Sequence, residues 1–373
     1  MTTIINGSSP SITFSDGSAQ TSATRPFLNR IINGSMTIDQ RNAGAAVTID
    51  QTGGTYTLDR WYGRDDSDGA YSIQQVSDAP TGFTNSLKIT ITTTDSSLSA
   101  SQYGFIGQWI EGFNTADLNW GTANAKTVTL SFWIKGSVTG QFGGSITNSA
   151  QNRSYPFSYT ISAANTWEQK TVTITGDTTG TWLTTNGAGI GVIFAVGIGS
   201  NFLDTANIWT GNFEMSATGQ TNLYATSGGT LQFTGCQLEV GSTATSFDYR
   251  PFTTELQLAQ RYCYAIKASE ASGAYSTFMQ QGAYTTTALT GNFIPKVTMR
   301  VVPTLSTTGT ASNYLVFNGT FYTLNSVPAI TTDSTPSSFT VDASVSSGLT
   351  AGYVYRMTAN NNNVAYLIFS AEL

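Results

Sequence analysis

Apolar residues alternate one for one with Thr, Ser and Lys from about residue 70 to residue 240, and this period of two commits the chain to half-buried β-strands. In Leu87-Lys88-Ile89-Thr90-Ile91-Thr92, the residues Leu87, Ile89 and Ile91 share one face. Val128, Leu130, Phe132 and Ile134 do the same in the run from Thr127 to Ile134. Lys170 to Thr175 repeats the pattern, and Gly189 to Ser200 alternates glycine or alanine with Ile190, Val192, Phe194, Val196 and Ile198. Turn signals such as Gly53-Gly54, Asp68-Gly69, Asn186-Gly187 and Gly228-Gly229 separate these runs, at spacings suited to antiparallel strands rather than β-α-β crossovers. Strands with one wetted face, joined by loops of uneven length, predict an all-β chain whose main unit is a two-sheet, antiparallel jelly-roll β-sandwich over residues 25–252.

Residues 253–373 read as a short connecting helix followed by a smaller β-sandwich domain. Thr253 to Tyr262 carries no Gly or Pro, Glu255 suits a first turn, and Thr253 or Thr254 can cap the start. Beyond it, strand-like runs return at Gly291 to Val302, Tyr314 to Leu324, Ser338 to Val345, Tyr353 to Thr358 and Val364 to Phe369. Residues 1–24 are too few and too rich in serine for a core of their own, yet Ile12 and Phe14 alternate before the Asp16-Gly17 turn. They are expected to pair with another chain or protein. No repeat of solenoid length and no heptad pattern is present.

Composition then narrows the chemistry. The chain has no histidine, which excludes imidazole acid–base schemes, His-based triads and His-metal centres. Only 10% of its residues are charged, against about 25% in an ordinary soluble chain, so hydroxyls and amides must wet the surface. A net charge of −6 and a pI near 4.6 leave no basic field for nucleic acid or an anionic membrane. No apolar run is long enough to span a bilayer. The opening MTTIINGSSPSITFSDG lacks a basic end followed by an apolar block, so the chain is expected to be made in the cytoplasm without a signal peptide. Cys236 and Cys263 read as buried thiols.

Several segments carry a family resemblance. Ile12-Thr-Phe-Ser-Asp-Gly-Ser-Ala-Gln-Thr-Ser-Ala23 resembles a short segment of tail-fibre and other virion-surface proteins of tailed bacteriophages. Asn29-Arg-Ile-Ile-Asn-Gly-Ser-Met36, leading to Thr57-Leu-Asp-Arg-Trp61, is similar to the opening of phage-encoded, carbohydrate-module-like jelly rolls. Cys236 to Phe252, running into Glu255 to Tyr264, resembles their closing strand, and Pro295 to Thr304 with Ala371-Glu-Leu373 resembles the β module that commonly follows. The resemblance implies a virion structural protein, a homotrimeric tail fibre or receptor-binding protein. Residues 1–24 would meet other virion proteins and the β domains would meet host surface glycans. A capsid decoration or fibre-adaptor protein with a purely architectural role is the alternative. No cofactor is expected, although the resembled class often carries a structural calcium whose ligands the sequence does not name.

Candidate glycan-binding residues are aromatic, because indole and phenol faces stack on sugar rings. Trp109, Trp120 and Tyr103 fall between Gln102 and Trp120, where alternation lapses and a loop is expected. Trp133 lies out of phase with Val128, Leu130, Phe132 and Ile134, so it should face outward or toward a partner. Asp65-Asp66-Ser67-Asp68-Gly69 invites a calcium reading. Taking Gly69 as the turn glycine, however, puts Arg64 and Gln75 where acidic ligands are required, and a solvated acidic turn is the plainer reading. Glu111, Asp117, Glu168, Asp177 and Glu214 could supply a carboxylate pair for glycoside hydrolysis, yet no local motif pairs them, and solvated edges or turns account for each. No Gly-X-Ser-X-Gly segment is present. No catalytic residue is expected.

Overall fold

The computed structural model describes residues 27–51, 53–269 and 275–373, together with backbone pairing at Ile4–Ile5, Ile12–Thr13 and Ala19–Gln20. In that N-terminal piece Ile12–Thr13 pairs antiparallel with both other segments. The expected attachment role of residues 1–24 otherwise lies outside the described residues.

Twelve strands build the main unit: β1 (Val47–Ile49), β2 (Thr55–Tyr56), β3 (Tyr62–Asp65), β4 (Ala70–Val76), β5 (Ser86–Thr93), β6 (Tyr103–Glu111), β7 (Val128–Gly136), β8 (Gly140–Asn148), β9 (Ser154–Ile161), β10 (Glu168–Ile174), β11 (Ala188–Ile198) and β12 (Thr230–Val240). Sheet I has the order β10-β7-β12-β5-β4-β1 and sheet II the order β9-β8-β11-β6-β3-β2. Every pairing within these two sheets is antiparallel. The alternating apolar residues fill the space between the sheets: Leu87, Ile89, Leu130, Phe132, Ile134, Val192 and Phe194 have no exposed surface. Phe194 lies 4.9 Å from Phe132 and 4.8 Å from Phe233, centroid to centroid. Each such side chain removed from water contributes about 1.5–3 kcal/mol, so the file of alternating residues is what holds the sheets together.

The helix α1 (Phe252–Gln260) follows. It begins from Pro251 with no side-chain cap, so neither Thr253 nor Thr254 caps it. Pro251 fixes the entry instead, its carbonyl accepting the Glu255 N–H at 3.1 Å. Beyond α1, a seven-stranded and a three-stranded sheet enclose a second core containing Leu289, Val316, Phe339, Met357, Leu367 and Phe369. Two expected strands are corrected. Residues 314–324 form a hairpin of two short strands, Tyr314–Phe317 and Phe321–Thr323. Only Ala288–Phe293 is strand in the 291–302 region, because Pro295 cannot donate to a ladder.

The two units share a polar junction. Glu372 receives Arg41 at 2.9 Å and also pairs with Arg60, whose side chain is 1% exposed. The Arg60 guanidinium lies 3.7 Å from the Tyr262 ring centroid, and the Tyr262 hydroxyl donates to Glu111 at 2.6 Å. Arg300 donates to the Ala371 carbonyl at 2.8 Å and to the Asn186 carbonyl at 3.1 Å.

Candidate functional site

Sheet I turns a polar face outward. Register places Gln74, Lys88, Gln232 and Lys135 in one row across β4, β5, β12 and β7, and Thr234, Trp133 and Gln169 in the next. One end of this face is roofed, because the chain after β12 folds back over it. Glu239 accepts Thr245 N–H at 2.8 Å and Thr245 Oγ1 at 2.7 Å, and Gln237 accepts Asp248 N–H at 2.8 Å. Phe83, Phe247 and Tyr249 close that end as a ring cluster with centroids 4.9–5.5 Å apart. On the opposite flank Asp78 pairs with Lys135 and accepts Gln232 Nε2 at 3.2 Å. Lys135, then Gln232, hold the Asp78 carboxyl below its usual range. The Lys135 ammonium sits 5.2 Å from the Trp167 ring centroid.

Trp133 occupies the open ground between these flanks, half-buried on the outer face. Its place depends on a bulge: Ser131 pairs with Gln237 but Trp133 with Thr234, so β12 carries one extra residue. Gly235, at φ +60°, supplies the left-handed turn. A methyl group there would meet Phe83 at 2.6 Å and Trp133 at 3.0 Å, so the two rings converge over the glycine. Gln169 and Thr171 border an open depression of about 570 Å³ with Ser242–Ser246.

Indole N–H groups separate the tryptophans by role. Trp61, Trp120 and Trp209 donate to the Asn33, Lys126 and Thr175 carbonyls at 3.0, 2.8 and 2.8 Å, and Trp182 donates to Asp177 at 3.2 Å. Buried indoles usually find such a partner. Those of Trp133 and Trp109 bond to no described residue, and neither does the indole nitrogen of Trp167, which is buried.

The four aromatic candidates do not converge. Trp109 and Tyr103 belong to β6, not to a loop, and face outward from sheet II. Alternation lapses there because both faces of β6 are covered: Tyr103 and Phe105 lie under residues 202–215, with Phe202 5.3 Å from Tyr103. Tyr103 is 8% exposed and has no open ring face to offer. Trp109 lies against Gly191, where an added methyl would stand 2.7 Å from its ring. Trp120 does lie in a loop, in the turn after the 3-10 helix Ala116–Leu118, but it is 7% exposed and packed into the end of the core.

Three of the carboxylates expected in solvent are buried instead. Glu111 and Asp177 are each 1% exposed and Glu214 is 5% exposed. Burial pushes Glu111 up, but Arg261 and Tyr262 outweigh it and leave the carboxyl low; Arg153 and Thr179 do the same for Asp177. Burial raises Glu214. Asp65, expected in a solvated turn, is 2% exposed because its Oδ1 accepts Ser67 N–H at 2.8 Å and Ser67 Oγ at 2.7 Å. Among the described residues no three Cys, Asp or Glu side chains group to hold a metal. Both cysteines are buried and unpaired. Sequence reasoning missed Phe83, Gln232 and Gly235. The signal for the last was present: apolar Leu231 and Phe233 slip phase to Cys236 and Leu238 across a glycine.

No protein-family model and no curated protein matches the chain. Among solved structures, a domain of bacteriophage CBA120 tailspike protein 4 is similar over 58% of this chain at 14% identity and a TM-score of 0.31; the match spans 22% of the tailspike chain. A CBM4 structure covers 56% of this chain and 98% of its own at 17% identity, TM-score 0.28. The family 11 carbohydrate-binding module of a Clostridium thermocellum cellulosomal cellulase covers 54% and 99% at 13% identity, TM-score 0.27. All three scores are low, and the sandwich rests on the chain's own two sheets.

Proposed function

We propose that this chain is a non-catalytic, glycan-binding component of a bacteriophage virion, a homotrimeric tail fibre or receptor-binding protein that holds sugars on the outer face of sheet I. The observation that carries the binding reading is Trp133: a half-buried indole whose N–H bonds to no described residue, set among Gln, Thr and Lys side chains on an open sheet face. An indole face stacks on the C–H face of a pyranose while neighbouring amides exchange hydrogen bonds with its hydroxyls. The virion assignment draws on the segments resembling phage surface proteins and on a surface wetted by hydroxyls rather than charges. Three copies per fibre would raise apparent affinity through effective concentration without new contacts.

The test is a glycan array probed with the full chain and with Trp133→Ala. Binding by the parent and at least a tenfold loss in the variant, with unchanged melting temperature, supports the reading. Equal binding by both removes Trp133 from it. Labelled localisation on virions separates the tail assignment from the architectural alternative, since density on the capsid lattice would favour decoration. Clearing of host polysaccharide by purified protein would overturn the non-catalytic part.

A further inference from the structure

A second opening lies between the 3-10 turns after β6 (Gly112–Asn114 and Ala116–Leu118) and the loop that leads into β11. It shares no lining residue with the face around Trp133. The cavity measures about 160 Å³; Trp120 and Trp182 wall it, and Thr115, Asn119, Thr122 and Thr184 rim it. No charged side chain lines it.

The plain account is a packing cluster. Trp120, Trp182 and Trp209 meet edge to face with centroids 4.7, 5.4 and 5.5 Å apart, and their indole N–H groups are satisfied within the protein. That explains the rings but not the uncharged opening that Trp120 and Trp182 wall beside them. It also leaves the Asn119 amide and the Thr184 hydroxyl at the rim, neither bonded to any described residue. Asn119 is held at φ +54°, where asparagine is tolerated better than most side chains.

We propose that this pocket takes a single neutral hexopyranose, the terminal ring of a glycan. Its volume falls below the roughly 300 Å³ at which sites for larger ligands begin, which limits the occupant to one ring. The half-buried Trp182 offers a wall to the apolar face of that ring, with the edge of the more deeply buried Trp120 behind it; amide and hydroxyl groups can both donate to and accept from its hydroxyls, and the uncharged lining selects against acidic sugars. The assignment stands independently of the sheet I face.

The full chain labelled with 5-fluorotryptophan provides one fluorine NMR signal for each of its seven tryptophans, assigned through single Trp→Phe variants. Titration with D-glucose, D-galactose, D-mannose and N-acetylglucosamine is expected to shift the Trp120 and Trp182 signals with a millimolar Kd for at least one sugar. Thr184→Val and Asn119→Gly, which remove one polar group each and keep the local backbone, should weaken binding about threefold or more. Trp133→Ala should leave these shifts intact. Absence of any shift at those two signals with all four sugars overturns the proposal, as do shifts that vanish in Trp133→Ala and persist in both pocket variants. Movement of the Trp133 signal alone with oligosaccharides would sink the pocket while leaving the sheet I reading in place.

Discussion

Asp59 has no exposed surface, and its carboxylate accepts the Gln40 N–H at 2.6 Å and Gln40 Nε2 at 3.1 Å. Burial outweighs those bonds and pushes its pKa up to about 6 from 3.8. The folded state therefore holds the proton more tightly than the unfolded chain between about pH 4 and 6, so stability contributed at this position falls as pH rises through that window and is level above it. The shift corresponds to about 3 kcal/mol. Urea titrations of the parent and Asp59→Asn should diverge by up to that amount between about pH 4 and 7, with the variant gaining relative to the parent; parallel profiles would dismiss the assignment. Nothing in the local sequence marks Asp59 as buried, because the Thr57-Leu-Asp-Arg-Trp61 run has no period that distinguishes its polar members. Burial of such a residue is decided by chain segments far away, here residues 38–40 and Cys263.

At the scale of the strand, the bulge in β12 sets the floor of the candidate groove. Gly235→Ala would place an L residue at φ +60°, at a cost of about 1–2 kcal/mol, and drive its methyl into Phe83 and Trp133. A lower urea midpoint, altered near-ultraviolet circular dichroism and weakened glycan binding are expected together; a variant with native spectra and affinity would show that the bulge is not what sets these rings. The antiparallel sandwich was legible because β5, β7 and β10 set apolar residues on one face and polar ones on the other, which alternation reports directly; β11 is buried on both faces, yet the glycines and alanine of its outer side keep the period of two. β6 was not legible, since covering its outer face with residues 202–215 erased the alternation that defines a half-buried strand. The same logic applies to the site. Trp133 stood out as a phase violation within a clean strand, whereas Phe83 and Gln232 reach the groove only through the cross-strand register and a loop.

Across the whole molecule, Glu372 is the residue that most directly ties the sandwich to the C-terminal unit. Its side chain is 5% exposed and faces two arginines from the sandwich. Removing one partner of a buried pair leaves an uncompensated charge, which costs about 3–5 kcal/mol. Glu372→Ala should therefore lower the main unfolding transition by that amount and separate the melting of the two units in calorimetry; a single unchanged transition would show that Arg60 finds its compensation elsewhere. The partners also stand 312 positions apart in the chain. The sandwich strands leave the ribosome first, so Arg60 cannot meet this carboxylate until the segment that carries Glu372 has followed. A joint closed by partners this far apart in sequence carries a large loop-closure cost, so it is expected to lag behind the local strand pairing inside each unit.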